Sequence, residues 1–134
     1  MKLNNTQKIA ILLFAWMLLG KGVVSSVAPI SAPGLHVLVV YDSSKTNTLE
    51  PKQLSALNSN RVPAYVTSKN GKFNRFDTKV EQTNMDPIWK AALARPRASL
   101  PWVIVSNAPN KGGIEAPLPN TDEEFLSLVK KYGE

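Results

Sequence analysis

The chain of 134 residues has no cysteine and a single histidine. The first absence removes disulfides, thiolate nucleophiles, iron–sulfur clusters and thiolate zinc sites together. One histidine cannot build a His-rich metal site or a triad with a cysteine partner, and His36, inside a strand-like run, reads as a structural residue. No metal, cofactor or catalytic residue is expected. Aromatic residues are also sparse at 7%, but the apolar and charged fractions of 43% and 19% are ordinary for a globular domain. No internal repeat or low-complexity tract is present.

Acidic residues are missing before Pro29, whereas Lys2, Lys8 and Lys21 all fall there. The net charge of +6 therefore overstates the basicity of the rest, which carries 13 cations against 10 acids. The surplus lies between Arg61 and Arg97. A solvated mixed surface accounts for it, and nucleic acid is not an expected partner.

Between Lys8 and Lys21 an uncharged run of 12 residues, Ile9 to Gly20, is apolar on every side of a helix. Its length suits a signal peptide and is short for a span of roughly 20 residues. If Lys21 snorkels to the interface, Ile9 to Val27 becomes long enough to cross. The segment reads either as a signal cleaved after Ser26 or, less favourably because of Pro29, after Ala28, or as an uncleaved anchor. Both readings put the remainder outside the cytoplasm, exported to a periplasmic or other extracytoplasmic site or held on the membrane. The expected organisation is a targeting or anchoring helix over 1–28, a stiff linker over 29–34 and a single domain over 35–134.

Leu35 to Tyr41 is apolar on both faces apart from His36, as in a strand covered on two sides. Asp42 to Asn47 is turn-prone, and Thr48 is expected to cap a helix with Pro51 in its first turn and Leu54 and Leu57 facing inward. Val62 to Ser68 fits a strand by its β-branched content and a helix by Asn60 and Pro63, with the helix preferred. Phe73 to Asp77 is a strand candidate, Asp86-Pro87 opens a helix, and Leu100 to Ser106 is a second strand apolar on both faces. A turn through Lys111-Gly112-Gly113 then predicts a hairpin partner at Ile114 to Ala116. Thr121 to Tyr132 is the clearest helix, with Thr121 and Glu124 in a capping-box pattern and Phe125, Leu128, Val129 and Tyr132 on one stripe.

This order, with the Pro-led strand Leu100-Pro101-Trp102-Val103-Ile104-Val105, resembles the thioredoxin-like fold over roughly Leu35 to Gly133. The resemblance implies an α/β, three-layer fold with a small mixed four-stranded sheet. It also implies a cis Pro101 beside the ligand-binding loop, with the preceding backbone free to pair with an extended peptide or glutathione. The family's two-cysteine motif aligns with Lys45-Thr46-Asn47-Thr48, where no sulfur stands. Thiol–disulfide exchange needs a thiolate, so the family's main activity is lost while its scaffold remains. The tract Ala94 to Trp102 is also similar to segments of uncharacterised small phage and bacterial proteins.

The candidate groove is accordingly Asp42, Ser43, Ser44, Lys45 and Thr48 on one loop, facing Leu100, Pro101 and Trp102. Its expected occupant is a protein or peptide partner. A helix N-terminus near Thr48 is a candidate anion site, as are Arg95 and Arg97 beside Trp102. Two other functions compete: a glutathione-using enzyme in which Tyr41, Ser43 or Ser44 holds a thiolate, and a phage-encoded accessory protein of the envelope or of lysis.

Overall fold

The computed structural model describes residues 22–81 and 84–134; the run Ile9–Gly20 lies outside them. No helix of the described residues is long and apolar enough to cross a membrane. Among the described residues, five strands and four α-helices follow in the order β1 (Val23–Ser25), β2 (Gly34–Tyr41), α1 (Pro51–Leu57), α2 (Arg61–Ser68), β3 (Lys72–Asp77), α3 (Pro87–Leu93), β4 (Trp102–Ala108), β5 (Gly112–Pro117) and α4 (Asp122–Gly133). A 3-10 turn, Ser43–Thr48, separates β2 from α1.

The sheet runs β1-β5-β4-β2-β3. β3 lies parallel to β2, and the other neighbours are antiparallel, making the sheet mixed and open. Alternation along β2 and β4 divides the core. Leu35, Val37, Val39, Val103 and Val105 face α1, α2 and α4, while Leu38, Val40, Trp102 and Ile104 face Trp89 and Ala92 of α3. Each fully buried valine among them contributes about 1.5–3 kcal/mol of apolar transfer.

Local signals fix most boundaries. Asp86 Oδ1 accepts from the Ile88 N–H at 2.9 Å to cap α3, and the Thr121 hydroxyl accepts from the Glu124 N–H at 3.1 Å to cap α4. Val62 to Ser68 is helical, although Ser59 rather than Asn60 supplies the cap, its hydroxyl accepting from the Val62 N–H at 3.1 Å. Arg75 ties α1 to β3: its Nε donates to the Leu57 carbonyl at 2.7 Å and its Nη2 to that of Ser59.

The sheet has five strands where four are expected, because residues 22–34 fold with the domain. Val23, Val24 and Ser25 pair with Glu115, Ile114 and Gly113. Ile30, placed by the sequence reading in a linker, is buried against α3 with Leu38 and Trp102. The glycine pair of β5 fits this wrap. A Cβ on Gly113 would stand 2.6 Å from Pro29 Cδ, and Gly112, at φ +66°, has the Ser25 carbonyl 2.2 Å from where a Cβ would be. Three residues of β1 give no period to read, and two prolines in Ala28–Gly34 suggest a linker by composition alone.

Candidate functional site

The end of the sheet where β2 and β3 finish carries the candidate groove. Tyr41, Asp42, Lys45, Thr46, Thr48, Leu49, Leu100 and Pro101 line a cavity of about 80 Å³. The Leu100–Pro101 peptide bond is cis, as the resemblance implies, and so is Ala108–Pro109, which the sequence reading did not anticipate. The Pro101 carbonyl accepts from the Leu118 N–H at 3.0 Å. Leu100 is 39% exposed, and among the described residues neither its N–H nor its carbonyl has a hydrogen-bond partner.

Two carboxylates shape the turn. Asp42 Oδ1 accepts from the Ser44 N–H at 2.9 Å and from the Ser44 hydroxyl at 2.6 Å. Asp77 Oδ1 accepts from the N–H groups of Ser43 and Lys79 at 3.1 and 3.0 Å. The Ser44 hydroxyl is the main cause holding Asp42 below its ordinary range, and the Ser43 side chain, then the Lys79 N–H, does the same for Asp77. Lys79 reaches Asp42 Oδ2 only at 3.9 Å. Lys45 has no ion-pair partner among the described residues.

Of the residues singled out in the sequence, Asp42, Lys45, Thr48, Leu100 and Pro101 meet at this cavity. Ser43 and Ser44 do not line it: their backbone N–H groups are held by Asp77 and Asp42, and the Ser44 hydroxyl is spent on Asp42. Trp102, 4% exposed, belongs to the α3 side of the core. Strand alternation explains this, since adjacent residues of β4 point to opposite faces.

The expected helix N-terminus at Thr48 is absent. Thr48 closes the 3-10 turn instead, its hydroxyl donating to the Lys45 carbonyl at 2.6 Å. Helix α1 begins at Pro51, and its cap residue Glu50 makes no side-chain bond.

Arg95 and Arg97 form no joint anion clamp. Arg95 is engaged by Glu115, with Nε to Oε1 at 2.6 Å and Nη2 to Oε2 at 2.9 Å, and that hydrogen bond pushes its basicity further up. Arg97 Nη1 donates to the Leu93 carbonyl at 2.8 Å, capping α3. Glu115 and Asp77, which hold Arg95 and Ser43 in this region, were not singled out from the sequence. A lone acid inside the apolar run Gly112–Ala116 was the available sign of a buried partner.

Among the described residues no group of three or more metal-ligating side chains comes together. No protein-family model, curated protein or solved structure matches the chain.

Proposed function

We propose that the chain is an exported or membrane-anchored, non-redox module of thioredoxin-like fold that holds an extended peptide segment of a protein partner in the groove between the Ser43–Thr48 turn and Leu100–Pro101. The carrying observation is that Leu100, lining a pocket beside cis-Pro101, has an N–H and a carbonyl without a hydrogen-bond partner among the described residues. Exposed backbone groups of this kind pair with an added strand, while the adjoining pocket selects a side chain. Lys45, which lines the same pocket and has no ion-pair partner among the described residues, favours a segment bearing an acidic side chain.

Size separates this reading from a glutathione-using enzyme. Small-molecule sites enclose roughly 300–1,000 Å³, whereas this cavity of about 80 Å³ takes little more than one side chain. The Ser44 hydroxyl, already given to Asp42 at 2.6 Å, is also not free to hold a thiolate.

The test is a binding measurement with peptides selected from a random library against the purified domain. Pro101→Ala and Lys45→Glu are each expected to weaken affinity at least tenfold while cooperative unfolding persists. Unchanged affinity in both variants contradicts the reading.

A further inference from the structure

At the end of the sheet away from the groove, β2, β3 and β5 begin and β1 and β4 finish. Helices α2 and α4 run out at the same end. Gly71, just before β3, donates its N–H to the Val66 carbonyl of α2 at 2.8 Å. Asn107 Nδ2, near the end of β4, donates to the Tyr132 carbonyl of α4 at 2.7 Å.

Five exposed lysines arrive there from separate stretches of chain: Lys69 is the C-cap of α2, Lys72 opens β3, Lys111 stands in the β4–β5 turn, and Lys130 and Lys131 lie in the last turn of α4. The ammonium groups of Lys69 and Lys130 each lie 5.7 Å from the centre of the Tyr65 ring, so two helices bring like charges to one side chain. Lys111 Nζ donates to the Glu134 carbonyl at 2.6 Å. Among the described residues none of the five has an ion-pair partner; the paired cations are Arg61, Lys79 and Arg95. Asp42 and Asp77 lie at the groove end, and Asp122, Glu123 and Glu124 open the far end of α4.

The pull of a helix C-terminus on cations accounts for Lys130 and Lys131. It does not account for Lys72 on a strand or Lys111 in a hairpin turn. Val27, 76% exposed, adds an apolar side chain to this end. It follows Ser26, whose carbonyl lies 3.1 Å from where a Cβ on Gly112 would be, next to Lys111.

We infer that this end of the domain docks on a bilayer surface carrying anionic lipid, with the lysines over the headgroups and Val27 among them. Lysines suit a diffuse negative surface, and a little apolar burial adds to the attraction. Ordered clamping of single phosphates favours arginine, but Arg75 is tied to α1, Arg95 to Glu115 and Arg97 to the Leu93 carbonyl. Stacking on nucleic-acid bases needs exposed aromatic rings, whereas the exposed large apolar residues among those described are Val24, Val27, Val80 and Leu100. The docking uses nothing of the groove, which faces away from the membrane and stays open to its peptide.

Because the chain has no cysteine, single labels report the orientation. Full-length chains carrying Asn110→Cys, beside Lys111, or Asn47→Cys, in the groove turn, are labelled with an environment-sensitive fluorophore. They are mixed with vesicles of phosphatidylcholine, alone or with one-third phosphatidylglycerol, containing headgroup-level spin-labelled lipid. On anionic vesicles quenching at position 110 is expected to exceed that at 47 at least threefold. The excess is expected to vanish on neutral vesicles, at high salt, and in the triple variant Lys69→Gln, Lys72→Gln, Lys130→Gln. The triple variant Lys45→Gln, Lys52→Gln, Lys90→Gln is expected to keep it. Equal quenching at the two positions on anionic vesicles overturns the docking, as does an excess that survives on neutral vesicles or in the folded first triple variant. Tighter capture of a single-stranded DNA oligonucleotide than of anionic vesicles overturns it too. The salt and lipid comparisons need no lysine substitution, so they decide the matter even if a triple variant fails to fold. None of these outcomes bears on peptide capture by the groove, which Pro101→Ala and Lys45→Glu test separately.

Discussion

Ser106 and Ile30 are joined by a reciprocal pair of hydrogen bonds across 76 residues of chain: the Ser106 hydroxyl accepts from the Ile30 N–H and donates to the Ile30 carbonyl, each at 3.0 Å. Ser106 is 0% exposed. A hydroxyl fully buried in a central strand is costly without partners, and here both partners come from Ile30 in the segment that follows β1.

Replacing Ser106 with Ala is accordingly expected to cost about 1–3 kcal/mol, since it leaves the N–H and carbonyl of Ile30 unpaired in a buried setting. Urea denaturation checks this, with Ser127→Ala on the exposed face of α4 expected to stay within about 0.5 kcal/mol of the parent. If the two substitutions cost the same, residues 22–34 are not an integral part of the domain.

Arg95 and Glu115 give a second expectation. Glu115 is buried within β5 and its carboxylate is bound twice by the guanidinium. Removing one partner of a buried pair costs about 3–5 kcal/mol, and the partly exposed arginine puts Arg95→Ala near 3 kcal/mol. The double variant Arg95→Met with Glu115→Leu is expected to be more stable than Arg95→Ala, because no buried charge is left alone. A double variant less stable than the single one would contradict this.

The turn that shapes the groove is sensitive to acid. Asp42 and Asp77 are both held below their ordinary value of 3.8 in the folded state. A lowered folded-state value means that the stabilisation is fully present above 3.8 and is lost as pH falls through the folded value. The amide resonances of Ser43 and Ser44, which donate to these carboxylates, are expected to titrate with midpoints below 3.8. Asp42→Asn is expected to abolish the step at Ser44 and keep that at Ser43. Midpoints at or above 3.8 in the parent protein would show that the carboxylates are not held this way.

What the sequence made legible follows from period and punctuation. The runs Leu35–Tyr41 and Leu100–Ser106, apolar on both faces, could only be covered strands, and Thr121 with Glu124 announced the last helix. The groove was legible as far as the pairing of an Asp42–Thr48 loop with Leu100–Pro101. Side-chain direction was not. Trp102 turns to the α3 face because it alternates with Val103 on a pleated strand, and Arg95 is taken by Glu115, a contact across 20 residues that no local pattern carries. Nor was β1 legible, since its stability comes from Gly112, Gly113 and Ser106, far along the chain.

The central claim is that Leu100 offers free backbone groups to an incoming strand, and amide hydrogen exchange at that residue tests it most directly. In the free protein the Leu100 N–H is expected to exchange at the rate of an open loop, and with a selected peptide bound it is expected to slow at least tenfold, together with amides of Tyr41 to Leu49. A peptide that binds while Leu100 exchanges unchanged, with protection appearing elsewhere on the surface, would contradict the assignment of this groove as the binding site.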